Sequence, residues 1–120
     1  MTGPRTVTVH TIDHGPVTLP EPAWCTGHAE APAEYRSDVH HAGPEIVRGY
    51  NGRAVLSAEL VEFPFGQQPI KPSVHVELYV PAATLDPPEL EALAAVLTEA
   101  AVELRQLALR LAVLRAGGDW

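Results

Sequence analysis

Residues 86–116 constrain the fold more than any other part of this chain. They carry a complete set of helix signals within a sequence of only 120 residues. Asp86 suits the N-cap, Pro87 the first helical position, and Glu89 the reciprocal place of a capping box. Glu89 and Glu91 stand near the positive end of the helix dipole and Arg110 and Arg115 near the negative end, while Gly117-Gly118 stops the run. About 30 helical residues span about 45 Å at ~1.5 Å each. That is long for a domain this small.

Within this helix Leu90, Leu97, Leu104 and Leu111 recur at heptad spacing, as do Leu93, Ala100, Leu107 and Leu114. Together they form an a/d seam that a facing sheet can bury. Val102, Leu109 and Val113 lie on other sides of the same helix. A helix with two apolar sides needs two partners. One is its own sheet, and the other is another protein or a second copy of the chain. A homodimer through the helix is the simplest form.

The remaining elements read as strands. Arg5 to Ile12 alternates, with Val7 and Val9 on one face, and Asp13-His14-Gly15-Pro16 is turn chemistry. Val17-Thr18-Leu19 continues as a hairpin partner that Pro20 ends. Residues 20–43 lack periodicity. A short strand around Glu45 to Tyr50 meets the hairpin signature Asn51-Gly52, and Arg53 to Phe63 follows with Leu56, Ala58 and Leu60 facing the core. Ser73 to Val80 alternates most cleanly, with Val74, Val76, Leu78 and Val80 on the face expected to receive the helix. The expected fold is α+β: a small antiparallel sheet of about four strands, a long loop and one long C-terminal helix. The expected organisation is a single domain over 1–120, with N-terminal strands in 1–19, a metal-clamped loop in 20–43, antiparallel strands in 44–80 and the helix in 86–116.

The chemistry is concentrated in the loop. Cys25 is the only cysteine, and five of the six histidines fall within the first 41 residues. Thiolate sulfur and imidazole nitrogen are the donors that Zn²⁺ prefers. Cys25 and His28 stand at zinc-knuckle spacing, and Gly27 between them permits a φ that other residues resist. A third ligand can come from His40 or His41, which point to opposite sides if the segment is extended. Glu21 can supply a carboxylate oxygen, and His14 stands in reserve. Trp24 is the loop's apolar anchor. A second group (His10, Glu59, His75 and Glu77) falls on polar strand faces and reads as a solvated surface.

Charge narrows the function. The net charge is −7, and Asp13, Glu21, Glu30, Glu34, Asp38 and Glu45 face Arg36 alone across residues 13–45. Nucleic-acid binding needs basic clusters that are absent here. Glu99, Glu103, Arg105 and Arg110 interrupt the most apolar stretch, so no membrane span is expected. Met-Thr-Gly-Pro-Arg-Thr-Val has no apolar signal region, and one cysteine allows no intrachain disulfide. A cytoplasmic protein is expected.

Trp24-Cys25-Thr26-Gly27-His28, the later His40-His41, and the Asp86-Pro87-Pro88-Glu89 start of a Leu/Ala-rich helix together resemble a small actinobacterial family of unknown function. That family's layout is a Cys-Pro-x-Trp-Cys-x2/3-His motif, a downstream histidine, a few strands and one C-terminal helix. The present sequence has Glu21 where the resemblance implies a first cysteine. If that cysteine ligates metal in relatives, Glu21 takes its place. The resemblance implies a fold and a motif but no activity.

The function expected from the residues is a small non-enzymatic accessory protein that binds another protein, with its loop pinned by zinc and its helix as contact surface. The alternatives are a metal- or thiol-dependent enzyme using Cys25 and nearby histidines, and a metal-free interaction module. A nucleophilic Cys25 needs a lowered thiol pKa, whereas acidic surroundings raise it.

Overall fold

In the computed structural model, which describes residues 5–50, 52–67, 71–79 and 82–120, the chain divides into two compact units. Unit one comprises Met1–Pro44 and Leu60–Ser73, and unit two Glu45–Glu59 and Val74–Trp120. The architecture is α+β, with two small antiparallel sheets and one long C-terminal helix.

Unit one opens with the hairpin β1 (Arg5–Thr11) and β2 (Gly15–Glu21), in register from Arg5 opposite Glu21 to Thr11 opposite Gly15. The buried Thr11 hydroxyl closes the turn by donating to the Gly15 carbonyl at 2.8 Å and accepting from the His14 N–H at 3.0 Å. Pro20 does not end β2, contrary to the reading from sequence: it pairs opposite Thr6, as Pro16 does opposite His10. In a two-stranded hairpin every second N–H faces outward, and a proline there forfeits no ladder bond. The strand therefore reaches Glu21 and places its carboxylate beside the next turn.

The expected 20–43 loop is accordingly shorter and is tied down along its length. Ile12 N–H donates to the Glu34 carbonyl at 2.9 Å, and Arg36–Asp38 forms a single 3-10 turn. Its last residues form β3 (His41–Ala42), which pairs antiparallel with the end of β5 (Arg53–Glu62), His41 opposite Glu62 and Ala42 opposite Val61. Leu19, Val39 and Leu60 are buried, along with Cys25 and His41.

Unit two joins β4 (Ile46–Tyr50) to the first part of β5 through a hairpin in which Tyr50 pairs with Arg53. Gly52 takes φ 70°, while Asn51 lies outside the described residues. The register shifts between Arg48 and Gly49. A Cβ at Gly49 would overlap the Arg53 carbonyl oxygen, so this bulge admits only glycine. β6 (Ser73–Leu78) pairs with β5, and Tyr79 N–H extends the pairing to the Val55 carbonyl at 2.8 Å.

The helix α1 (Pro87–Arg115) begins with the anticipated capping box. Glu89 N–H donates to Asp86 Oδ1 at 3.1 Å and Asp86 N–H to Glu89 Oε1 at 3.4 Å. Ala116 caps the other end, followed by Gly117 at φ 93°. α1 packs against β4, with Arg48 Nη2 3.1 Å from Glu103 Oε2. Ala100 and Leu107 are buried on the helix, and Val55, Leu56 and Ala58 on β5.

Two packing expectations need correction. Only the Leu93, Ala100, Leu107, Leu114 line of the seam turns inward consistently, while Leu90 and Leu97 are exposed. On β6 the face carrying Val74, Val76 and Leu78 is not a covered one, because Val76 is exposed and Leu78 is 65% exposed; Val80 lies outside the described residues. Alternation sorts side chains between the faces of a strand but does not say what covers them, and the helix lies chiefly on β4.

Gly49→Ala should cost about 1–3 kcal/mol, the usual range for forcing extra atoms into a filled site. Urea denaturation of the full chain measures it. An unchanged midpoint would mean that the bulge relaxes around a methyl group.

Candidate metal centre

The centre lies wholly in unit one and is assembled from three short pieces of chain. Glu21 is the last residue of β2. Cys25 follows in a turn closed by its N–H donating to the Pro22 carbonyl at 3.0 Å. Gly27, at φ 105°, lets the chain reverse so that His28 faces back toward Cys25. Thr26 attaches this turn to β3 by donating both its N–H and its hydroxyl to the Ala42 carbonyl, at 2.9 and 3.2 Å. β3 supplies His41, and Trp24 meets the His41 ring edge-on at 6.2 Å between centroids.

Glu21, Cys25, His28 and His41 each present one donor atom, and these atoms lie within 4.8 Å of one another. His28 Nε2 is 3.5 Å from Cys25 Sγ, 3.3 Å from His41 Nδ1 and 3.3 Å from Glu21 Oε1. Ligands at about 2.3 Å for sulfur and about 2.0 Å for nitrogen or oxygen, set at tetrahedral angles, are about 3.5 Å apart on an S–N edge and about 3.3 Å on N–N and N–O edges. The three separations around His28 are those of a tetrahedral ion's shell.

The surroundings suit a cation as well. Cys25 is 7% exposed and His41 1%, and the side chains of Glu21 and His28 are each 10% exposed. Glu21 Oε1 is buried without a hydrogen-bond donor, because His28 Nε2, though near, is not aligned to donate to it. A buried carboxylate oxygen left unpaired is costly unless something positive meets it. Burial lowers the His41 pKa, and His28 lowers it further, against opposing effects of Glu21 and the Pro20 carbonyl. The ring is thus kept neutral, the form that ligates. The bond from His41 to the Pro20 carbonyl orients the ring, the usual outer support of a metal-binding histidine.

Burial also raises the Cys25 thiol pKa, with Glu21 adding to the rise; N–H groups of Gly27 and Ala42 directed at the sulfur oppose it. Those N–H donors are placed to stabilise a thiolate once a cation displaces the proton.

The other candidates are placed elsewhere. His40 points away from the cluster, with Nδ1 3.1 Å from the Asp38 carbonyl and its ring stacked on Phe63 at 5.1 Å. His14 is in the β1–β2 turn, 3.0 Å from Asp13 Oδ2. His75 and Glu77 pair on exposed β6, His10 stands on β1, and none of them belongs to a metal-ligating cluster among the described residues. The choice between His40 and His41 follows an alternation along the chain: Val39, His41 and Gly43 are buried, while His40 and Ala42 between them are only partly so. The supporting carbonyl of Pro20 and the N–H of Ala42 carry no signal in sequence, since any residue offers a backbone.

A cavity of ≈ 410 Å³ runs beside the centre, walled by Val7, Val9, Ala31, Pro32 and Val39 among others, and touched by His28 alone of the four. Four protein donors leave a tetrahedral ion no open position toward it.

Among the described residues, no helix is long and apolar enough to cross a membrane. No curated protein and no solved structure matches the chain. A family model for a domain of unknown function (DUF6907) matches residues 6–113, nearly the whole length, and the protein therefore belongs to the DUF6907 family.

Proposed function

We propose that this protein is a small non-enzymatic interaction module of the cytoplasm. In this reading one structural zinc ion, held by Glu21, Cys25, His28 and His41, pins unit one, and α1 of unit two is the contact surface for another protein chain. The observation that carries the metal assignment is the set of separations around His28 Nε2, which match a tetrahedral shell. Zinc is favoured over other ions by the donor set: one sulfur, two imidazoles and one carboxylate. With thiolate and carboxylate both ionised, the divalent ion leaves the buried centre neutral.

Several features support a structural rather than a catalytic role. The shell is filled by protein, and the Cys25 thiol is pushed up by burial rather than activated. A single free thiol fits a reducing compartment. The exposed Val102, Leu109 and Val113 support the helix as a docking surface.

Elemental analysis of protein grown with zinc and freed of loosely held metal should find about one zinc per chain. Cys25→Ser and His41→Ala should each abolish most of it, while His40→Ala should leave it intact. Full zinc content in Cys25→Ser would remove the cysteine from the site.

A second measurement separates the metal from ordinary packing. In zinc-loaded protein Cys25→Ala should lower the melting midpoint by roughly 10 °C or more, since losing a structural ligand costs several kcal/mol. After chelation the same substitution should cost about 1 kcal/mol, the scale of a small cavity. Equal losses in both states would contradict the assignment.

A further inference from the structure

The charges of α1 are segregated along its length: Glu89, Glu91, Glu99 and Glu103 all precede Arg105, Arg110 and Arg115. The helix dipole explains such a bias only within the first and last turns. Glu99, Glu103, Arg105 and Arg110 lie further in. Glu103 is used by Arg48, but Glu99 has no partner among the described residues.

The same helix bears an uncovered apolar stripe. At about 100° per residue, Ala95, Thr98, Val102, Leu109 and Val113 fall together, opposite the buried Ala100 and Leu107. Val102 is 47% exposed, Leu109 71% and Val113 53%. The Thr98 hydroxyl donates to the Ala94 carbonyl of its own helix at 2.9 Å, so Thr98 brings no unmet polar group to the stripe. Glu99 and Arg110 flank the stripe on the same side.

We propose that this stripe pairs two copies of the chain with their α1 helices antiparallel, about a two-fold axis between Val102 and Arg105. Leu109 then meets the small Ala95 and Thr98 of the second copy, large against small, as close packing requires. In an antiparallel pair the same flanks of the two helices meet. Glu99 therefore lies beside Arg110 of the second copy, and the contact occurs twice by symmetry. In a parallel pair opposite flanks meet instead, so Glu99 and Arg110 lie on opposite sides of the seam from their copies and this contact is lost. The complementarity of Glu99 and Arg110 thus favours a second copy as the occupant and the antiparallel direction, and it outnumbers the single approach of the two Arg105 side chains at the axis. This inference rests on the reading of α1 as the contact surface, and it is independent of the metal.

Sedimentation equilibrium on the zinc-loaded full chain tests it. A dimer is expected at micromolar concentration, and Leu109→Glu should yield a monomer with unchanged circular dichroism and zinc content. Glu99→Arg and Arg110→Glu should each weaken the dimer by roughly tenfold or more, as like charges brought together at an interface do. The double variant should restore it, which also controls for the stacking of Arg110 on Trp120. A chain that stays monomeric up to about 100 µM overturns the pairing. So do single variants without effect, which a parallel pair would give, or a double variant that fails to recover. A monomer with full zinc content would leave the metal reading standing, and a dimer without zinc would do the reverse.

Discussion

Unit one depends on four side chains meeting at one point. Glu21, Cys25, His28 and His41 come from the end of a hairpin, a turn and a two-residue strand, which are otherwise joined chiefly by the bonds from Thr26 to Ala42 and the packing of Trp24 on His41. The buried apolar side chains of the unit are few, chiefly Leu19, Val39 and Leu60 beside Cys25. A core that small supplies a few kcal/mol at best, which is why domains of this size commonly need a staple. Without an ion the centre holds a desolvated thiol and an orphaned carboxylate oxygen side by side. On the proposed reading, a divalent ion would turn that liability into a stabilising contact.

Unit two has the opposite difficulty. Its helix carries more apolar surface than β4 and β5 cover, and the surplus lies opposite the buried line through Ala100 and Leu107. The proposed pairing with a second copy would remove that surplus from water without any change in fold. On our two proposals the units use two remedies for a core too small to close by itself, a bound ion in one and a symmetric neighbour in the other.

What was legible in the sequence was local. The capping box at Asp86, the stop at Gly117 and the Tyr50–Arg53 hairpin are decided by a few adjacent residues, and they form as read. Cys25 and His28 were identifiable as a pair for the same reason. Features that depend on distant neighbours were harder. Pro20 sits inside β2 because the opposite strand leaves its position unbonded, which only the pairing reveals. Val76 and Leu78 alternate as a core face should, yet the helix went to β4. His41 rather than His40 enters the cluster because β3 pairs with β5, along an alternation of buried Val39, His41 and Gly43. Membership of the DUF6907 family extends over residues 6–113 and adds no activity to these inferences.

The central claim is the composition of the shell, and X-ray absorption at the zinc edge reads it directly. The account predicts a four-coordinate ion with one sulfur at about 2.3 Å and three nitrogen or oxygen neighbours at about 2.0 Å. A shell without sulfur, or one of six light atoms, would contradict it.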